Sequence, residues 1–447
     1  MVDFTYTEEQ LAVQQKARKF ALEEILPVVH YFDEHDQMPV YLIKRAHELG
    51  LTNLTIPKKY GGPGLGLIES GLVVEEIAAA CPGMATSIFG NTLGEEPIIF
   101  SKNELAKEKY LKAAVESPKI ISFATSEPMM GSDVAGIRCK ATPDGEDYIL
   151  NGTKYWITNG GYADYCSVFA TTDPKKRHKG ICAFIVEMDW EGISVGEHIP
   201  KVGQRTSNTV AVKFDNVRVP AENVLAKEDG PGFVLAMKTF GHTRPIIGSF
   251  AVGGARSAME FAIQYAKKRR AFGQKLSDFQ SIQFKIGEMY QKIETARLLT
   301  QKAAWEADQG KDPTVIASLT KFYATEMAQE VVNQALQIFA GYGYTTYFPI
   351  EKLLRDLRVL TIYEGTSEIQ RIVVSRHALN DYEMVMPPLD DLPRLQADNP
   401  EKAAQEGMPS GQQVYRCRIC GHLHYGEEPP DECPVCKFPK NAFKSVA

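Results

Sequence analysis

Tyr148-Ile-Leu-Asn-Gly-Thr-Lys-Tyr-Trp-Ile-Thr158 decides how the chain divides. Its β-branched and aromatic residues read as strand, and Asn151-Gly152 at its centre reads as a two-residue hairpin turn. The same texture returns in Tyr165-Cys-Ser-Val-Phe-Ala-Thr171, Ile181-Cys-Ala-Phe-Ile-Val186 and Thr209-Val-Ala-Val-Lys-Phe214. Short runs separated by turn residues predict an antiparallel β-barrel or sandwich over residues 121–230, not a dinucleotide-binding βαβ unit.

The period changes on both sides. Residues 1–120 predict an all-α N-terminal domain: Leu11, Ala12, Gln15, Ala17, Phe20 and Ala21 fall near helical spacing, and 68–80 is an apolar helix. Residues 231–384 predict long amphipathic helices over 253–268, 281–309 and 313–339. Pro313 suits a first helical turn, and the set favours a four-helix bundle. Tyr60-Gly-Gly-Pro-Gly-Leu-Gly66 is glycine-rich, but no strand precedes it and no Lys-Ser/Thr follows. It reads as a connector, not a phosphate cradle. Residues 385–412, rich in Pro, Asp, Gln and Gly, read as a linker to a small module at 413–447.

The chain has 447 residues, too many for one core and suited to about three domains. It is 44% hydrophobic and 24% charged, which excludes global disorder. The net charge of −6 argues against a general nucleic-acid binder, and the basic run Lys267-Lys-Arg-Arg270 is too short to reverse that. No stretch reaches the roughly 18 apolar residues of a membrane span. The start, MVDFTYTEEQLAVQQKARKF, has no apolar signal core, so a cytoplasmic location is expected.

Four cysteines are scattered (Cys81, Cys139, Cys166, Cys182), and four form C-x2-C-x12-C-x2-C at Cys417, Cys420, Cys433 and Cys436. Two knuckles of paired thiols can close a tetrahedral site on one metal ion. Gly421 lets the first knuckle turn and aim amides at sulfur. With Tyr415 and Cys433-Pro-Val-Cys436, the segment resembles the short rubredoxin-like iron module of rubrerythrins. Lys437 stands where the second knuckle usually has glycine, at a cost on the order of 1 kcal/mol. Iron is the expected metal, and the spacing also allows a zinc ribbon.

A second signal is Ile362-Tyr-Glu-Gly-Thr-Ser-Glu-Ile-Gln370. Glu364 precedes a glycine in a break between helical runs. By pattern alone it is a candidate general base, but such a residue is more often a capping or solvated one.

Further motifs stand in order along residues 1–383: Phe123-Ala-Thr-Ser-Glu-Pro-Met-Met-Gly-Ser-Asp133, Tyr155-Trp-Ile-Thr-Asn-Gly-Gly161, Arg269-Arg-Ala-Phe-Gly273 and Gln337-Ile-Phe-Ala-Gly-Tyr-Gly343. With Tyr363-Glu-Gly-Thr-Ser-Glu-Ile-Gln370, this set resembles the acyl-CoA dehydrogenase family. The resemblance implies Glu364 as catalytic base. Some members carry the base at the position of Thr243, which cannot serve here. It implies flavin adenine dinucleotide (FAD) contacts at Phe123, Thr125, Ser126, Gly131, Ser132, Trp156, Thr158, Thr366 and Glu368. From a neighbouring subunit it implies FAD contacts at Arg269, Phe272, Gln280, Gln337 and Gly341. Ser132, Arg244, Tyr363 and Gly365 are the implied substrate contacts. Without the motifs, Trp156 would read as a core aromatic and Arg269 as part of a solvated helix face.

The implied reaction is α,β-dehydrogenation of a short- to medium-chain acyl-CoA to the trans-2-enoyl-CoA. The base takes the α-proton while the β-hydride goes to FAD. Hydrogen bonds to the thioester carbonyl, from the flavin ribityl chain and the base's own N–H, stabilise the developing enolate. Electrons then pass to an electron-transfer flavoprotein, with the fused iron–thiolate centre as a candidate relay. The family suggests a homotetramer. Met129-Met130 replaces small residues of the first motif and would reshape that loop. Phe89 is expected at the acyl end of the pocket, shortening it. Two alternatives stand: an enoyl-CoA reductase working in the opposite direction within an electron-transfer complex, and a non-enzymatic scaffold with a zinc ribbon. The intact Glu364 and flavin motifs argue against the scaffold.

Overall fold

The structure, a computed structural model, describes residues 5–389 and 413–446. The chain forms two compact units, Met1–Arg371 and Ile372–Ala447. The linker expected at 385–412 lies, beyond residue 389, outside the described residues.

In the first unit, helices precede and follow a β-sheet, as the change of period predicts. The opening helix Glu8–Phe20 starts at Thr7, whose hydroxyl caps Gln10 N–H while the Gln10 side chain caps Thr7. The apolar helices Leu67–Ala80 and Pro82–Phe100 follow. The glycine-rich connector ends at Gly66. There the Asp308 carboxylate accepts from Leu67 N–H (2.7 Å) and Ile68 N–H (3.2 Å), so a protein carboxylate already fills that helix N-terminus.

The sheet contains β1 (Ile121–Ala124), β2 (Lys140–Asp144), β3 (Asp147–Thr158), β4 (Tyr165–Thr171), β5 (Ile181–Glu187), β6 (Ile193–Val195), β7 (Thr209–Val219) and β8 (Val224–Ala226). The strand order is β6-β7-β3-β2-β4-β5-β8, with β1 also on β4. Two features differ from the expected hairpins. Asn151-Gly152 is not a turn: β3 runs straight through it, and Asp144 pairs with Asp147 around the turn at Gly145-Glu146. Gly152 instead marks a register shift against β7, a bulge whose φ of +149° suits glycine. The Asn-Gly pair misled because only the pairing partner distinguishes a bulge glycine from a turn glycine. The pairings β1–β4 and β2–β4 are parallel, so the sheet is mixed.

β4 and β5 are apolar on both faces. Cys166, Val168, Cys182, Phe184 and Val186 join the core inside the sheet. Phe169, Ile181, Ala183 and Ile185 pack with Tyr110, Leu111 and Leu235 of the helices. Alternation along each strand divides its residues between two cores.

After the sheet, Pro231–Lys268, Gln280–Asp308 and Thr314–Phe339 form the long helices. The first begins 22 residues before the amphipathic stretch read from sequence, because buried small residues hide its period. Gly253 shows the closeness: a Cβ there would lie 2.3 Å from the Glu75 carbonyl oxygen. Among the described residues this is the one helix long and apolar enough to cross a membrane, and 78% of its most apolar window is buried inside the protein. Beneath it, Arg256 and Arg18 reach Glu76 at 2.8 and 2.7 Å, and Arg297 reaches Glu75 at 2.9 Å. The second unit carries a three-stranded antiparallel sheet with Gln413–Cys417 between Leu423–Gly426 and Phe443–Ser445.

At Gly152 an added Cβ would approach Cys139 Cα to 2.7 Å. Gly152→Ala is expected to cost about 1–3 kcal/mol, read as a lowered midpoint in denaturant unfolding.

Candidate active site and metal centre

Glu364 lies in the turn between the short helix Val359–Thr361 and the helix Ser367–Asn380. Its φ is +58°, and Gly365 follows at +89°. A non-glycine residue there is strained, and the surroundings explain how the turn is kept. The Glu364 carbonyl accepts from Arg244 Nε (3.1 Å) and Gln370 Nε2 (3.2 Å). The Gly365 carbonyl accepts from Lys321 Nζ (2.7 Å) and Gln370 Nε2 (2.9 Å).

The Glu364 carboxylate accepts from Thr243 Oγ1 at 3.1 Å, and Tyr363 Oη lies 3.5 Å from Thr86 Oγ1. Burial pushes the Glu364 carboxyl up to about 7, against the pull of Arg244, the Thr243 hydrogen bond and Lys321. A carboxylate with that proton affinity suits proton abstraction near neutral pH. Thr243, whose hydroxyl cannot serve as a carboxylate base, touches Glu364 instead.

A second constellation surrounds the end of β1. Ser122 Oγ donates to the Thr158 carbonyl (2.9 Å), and Tyr155 N–H donates to the Ser126 carbonyl (2.9 Å). Phe123, Thr125 and Ser126 are thereby brought beside Trp156 and Thr158. Beneath them, fully buried Lys154 donates at 2.8 Å to both the Thr125 carbonyl and Glu127 Oε1. Glu127 also accepts from Arg138 N–H (2.7 Å) and Cys139 N–H (2.8 Å).

Trp156 is 57% exposed at a φ of +65°, which removes the core-aromatic reading and suits an open platform for a planar ring. Phe123 packs on Phe240 (centroids 5.4 Å), and the Arg244 guanidinium lies 5.7 Å from the Phe240 ring. One run of contacts therefore joins the Trp156 neighbourhood to Glu364. Gly131 and Ser132 lie exposed on the same loop, with Met129 in solvent and Met130 partly buried.

The remaining expected cofactor residues sit elsewhere. Arg269, Phe272, Gln280, Gln337 and Gly341 are exposed, and Phe272 is 97% exposed in the turn between Arg270–Ala271 and Gln274–Lys275. Such exposure suits contacts made to another copy. Thr366 caps the following helix through Ile369 N–H (3.4 Å), and Glu368 is exposed.

Sequence reading missed Lys321, Gln370 and the Lys154–Glu127 pair. Each left a signal. Lys321 shares the buried face of its helix with Ala317, Ala324 and Ala328, and Lys154 is buried in β3 between Leu150 and Ile157.

In the second unit, the four cysteine Sγ atoms lie within 4.8 Å of one another. Cys417–Cys436 and Cys420–Cys433 are each 3.6 Å apart. Four thiolates at about 2.3 Å from one ion stand roughly 3.8 Å apart, so the set fits a tetrahedral metal. The two knuckles repeat one design. Gly421 N–H donates to the Cys417 carbonyl, and Lys437 N–H donates to that of Cys433, both at 2.9 Å. Gly421 (φ +78°) and Lys437 (φ +60°) take the left-handed turns. The next amides, of His422 and Phe438, donate to Cys420 and Cys436. Cys81, Cys139, Cys166 and Cys182, in the first unit, are buried.

Lys154→Met strands the Glu127 carboxylate and is expected to cost about 3–5 kcal/mol. The double variant with Glu127→Met should recover a large part of it, read by denaturant unfolding.

Comparison with known proteins agrees with this arrangement. Three family models match in order: the acyl-CoA dehydrogenase N-terminal domain over 7–117, the middle domain over 122–217 and the C-terminal domain over 230–379. The rubrerythrin rubredoxin-like domain matches 415–444. A Caenorhabditis briggsae protein named probable medium-chain specific acyl-CoA dehydrogenase 2, mitochondrial, is 39% identical over 381 residues, covering 85% of this chain and 92% of the relative. Butyryl-CoA dehydrogenase from Megasphaera elsdenii superposes with a TM-score of 0.82 at 38% identity, over 85% of this chain and 100% of the other. A chain solved under the description of the electron transferring flavoprotein of Acidaminococcus fermentans gives 0.83 at 38% identity, with the same coverage. Helical, β and helical domains in that order, with the flavin motifs and Glu364 in place, make this chain a member of the acyl-CoA dehydrogenase family carrying a C-terminal rubredoxin-like metal-binding module.

Proposed function

We propose that the protein desaturates a short- to medium-chain acyl-CoA between the α and β carbons. The observation that carries this reading is Glu364. Its carboxylate is half-buried on a strained turn, bonded to Thr243, with a proton affinity raised to about 7. FAD, when bound, supplies the hydride acceptor. Trp156, Thr158, Phe123, Thr125, Ser126, Gly131 and Ser132 would hold it within the chain. Arg269, Phe272, Gln280, Gln337 and Gly341 would hold it from a neighbouring subunit, and Thr366 and Glu368 from beyond the base.

The thioester α-proton passes to a Glu364 carboxylate oxygen. Burial disfavours the charged base, so transfer of the proton relieves an unfavourable charge. Arg244, Tyr363, Gly365 and Ser132 would line the substrate. Phe89, 6% exposed, packs edge-on to Phe250 at 6.4 Å on the helix that also carries Thr86, which supports a pocket closed early and a short acyl chain. The exposed rings of Phe272, Tyr344 and Tyr347 support burial between copies, and we read the protein as a homotetramer. The domain boundaries we assign are 1–120, 121–230 and 231–384, with a linker at 385–412 and the module at 413–447.

We read the fused module as an iron–thiolate centre that relays electrons toward an electron-transfer flavoprotein. The four clustered thiols support it, since iron in such a site exchanges single electrons. The visible spectrum tests both readings. Acyl-CoAs of increasing length, added to the oxidised protein, should bleach flavin bands at short length over a persistent iron–thiolate absorption. Purified protein that holds no flavin, even after reconstitution, would end the enzymatic reading.

Glu364→Gln should lower kcat by about 10²–10⁴-fold while FAD stays bound. Only the ionised carboxylate accepts a proton. In the wild type kcat/KM should therefore fall as pH drops through about 7, and hold above it. Cys433→Ser should leave flavin reduction by substrate intact and slow reoxidation by the electron-transfer flavoprotein. Unchanged reoxidation would remove the relay.

A further inference from the structure

Lys321 lies on the helix Thr314–Phe339 with none of its side chain exposed. Its Nζ donates to the Gly365 carbonyl, and among the described residues no carboxylate is in hydrogen-bond contact with it. A buried ammonium without a contacting counter-ion is costly. Hydrogen bonding alone does not account for it, because Gln370 Nε2 already donates to the same carbonyl. The charged groups that act on Lys321 are Glu364, Arg244, Glu326 and Glu368. Those that act on Glu364 are Arg244 and Lys321, with the Thr243 hydroxyl bonded to it and the Tyr363 phenol beside it in the turn. Two buried cations, from two different helices, thus converge on one carboxylate and on the turn that carries it.

We propose that Lys321 is a positioning residue for proton abstraction. Its contact with the Gly365 carbonyl holds the left-handed turn, and its charge adds to that of Arg244 in favouring the ionised Glu364 that accepts the α-proton. This rests on the reading of Glu364 as the base. Burial acts on both partners in opposite directions, raising Glu364 and lowering Lys321 to about 7; Glu364 is the main support of the Lys321 charge, and Lys321 adds to Arg244 and the Thr243 hydroxyl in supporting that of Glu364. Arg244 differs, because its Nε is committed to the Glu364 carbonyl and its charge persists at every working pH.

The experiment compares Lys321→Gln, which keeps a hydrogen-bond donor and loses the charge, with Lys321→Met, which loses both. Wild type and variants are taken as FAD-loaded enzyme through a kcat/KM pH profile. Lys321→Gln should move the acid limb to higher pH. Lys321→Met should show the same shift and a lower plateau, with KM little changed because Lys321 does not reach the surface. An acid limb in Lys321→Gln that coincides with wild type overturns the proposal. Wild-type enzyme that no acyl-CoA bleaches would instead overturn the reading of the reaction.

A measurement without turnover covers the case in which neither variant folds. In protein labelled with ¹³C at lysine Cε, a lysine signal titrating well below the ordinary range should titrate lower still in Glu364→Gln. If no depressed lysine responds to Glu364→Gln, Lys321 and Glu364 do not share their charge and the proposal fails.

Discussion

Two carbonyl oxygens, those of Glu364 and Gly365, collect four hydrogen bonds from Arg244, Gln370 and Lys321. A glutamate in the left-handed region costs on the order of 1–3 kcal/mol. The donors that offset this cost come from three helices, Pro231–Lys268, Thr314–Phe339 and Ser367–Asn380. Glu364 therefore has its geometry only when those helices are packed. Small residues such as Gly248 set how closely they pack: a Cβ there would lie 2.9 Å from Thr320 Cγ2 on the helix Thr314–Phe339.

The same dependence extends to the β-sheet. The flavin motifs are far apart in sequence, and they meet because Ser122 and Ser126 pair with the end of β3. The buried Lys154–Glu127 pair holds this junction from below. A buried ion pair is weak evidence for net stability, but it has one satisfied arrangement and so fixes a loop in register. Phe123 against Phe240 then sets the sheet against the helix that carries Thr243 and Arg244. The Trp156 neighbourhood and Glu364 are thus parts of one packed body.

The metal module is built by a different rule. Its core is small, with Cys417, Cys433, Ala442 and Phe443 buried together, so much of its order depends on the bound ion. Each knuckle needs a residue with positive φ before an amide can reach sulfur. Gly421 does this without strain, and Lys437 does it at a cost on the order of 1 kcal/mol.

Period and spacing determined the domain succession and the four thiols in advance, because each is written in contiguous residues: a change from period 3.6 to 2, a repeated C-x2-C. Glu364 stood out as a candidate base only through the family resemblance of the motifs around it. The stretch 148–158 shows where such reading stops. Asn151-Gly152 has the composition of a turn, yet pairing with β2 and β7 makes it a bulge inside a strand. Pro231–Lys268 was longer than its amphipathic pattern, since a helix buried on nearly every side carries no polar stripe. Lys321 and Lys154 carried no role in the sequence reading. Tertiary structure alone decided otherwise, because what a buried charge does depends on which carbonyl or carboxylate the folded chain places beside it. For Lys321 that partner lies 44 residues away.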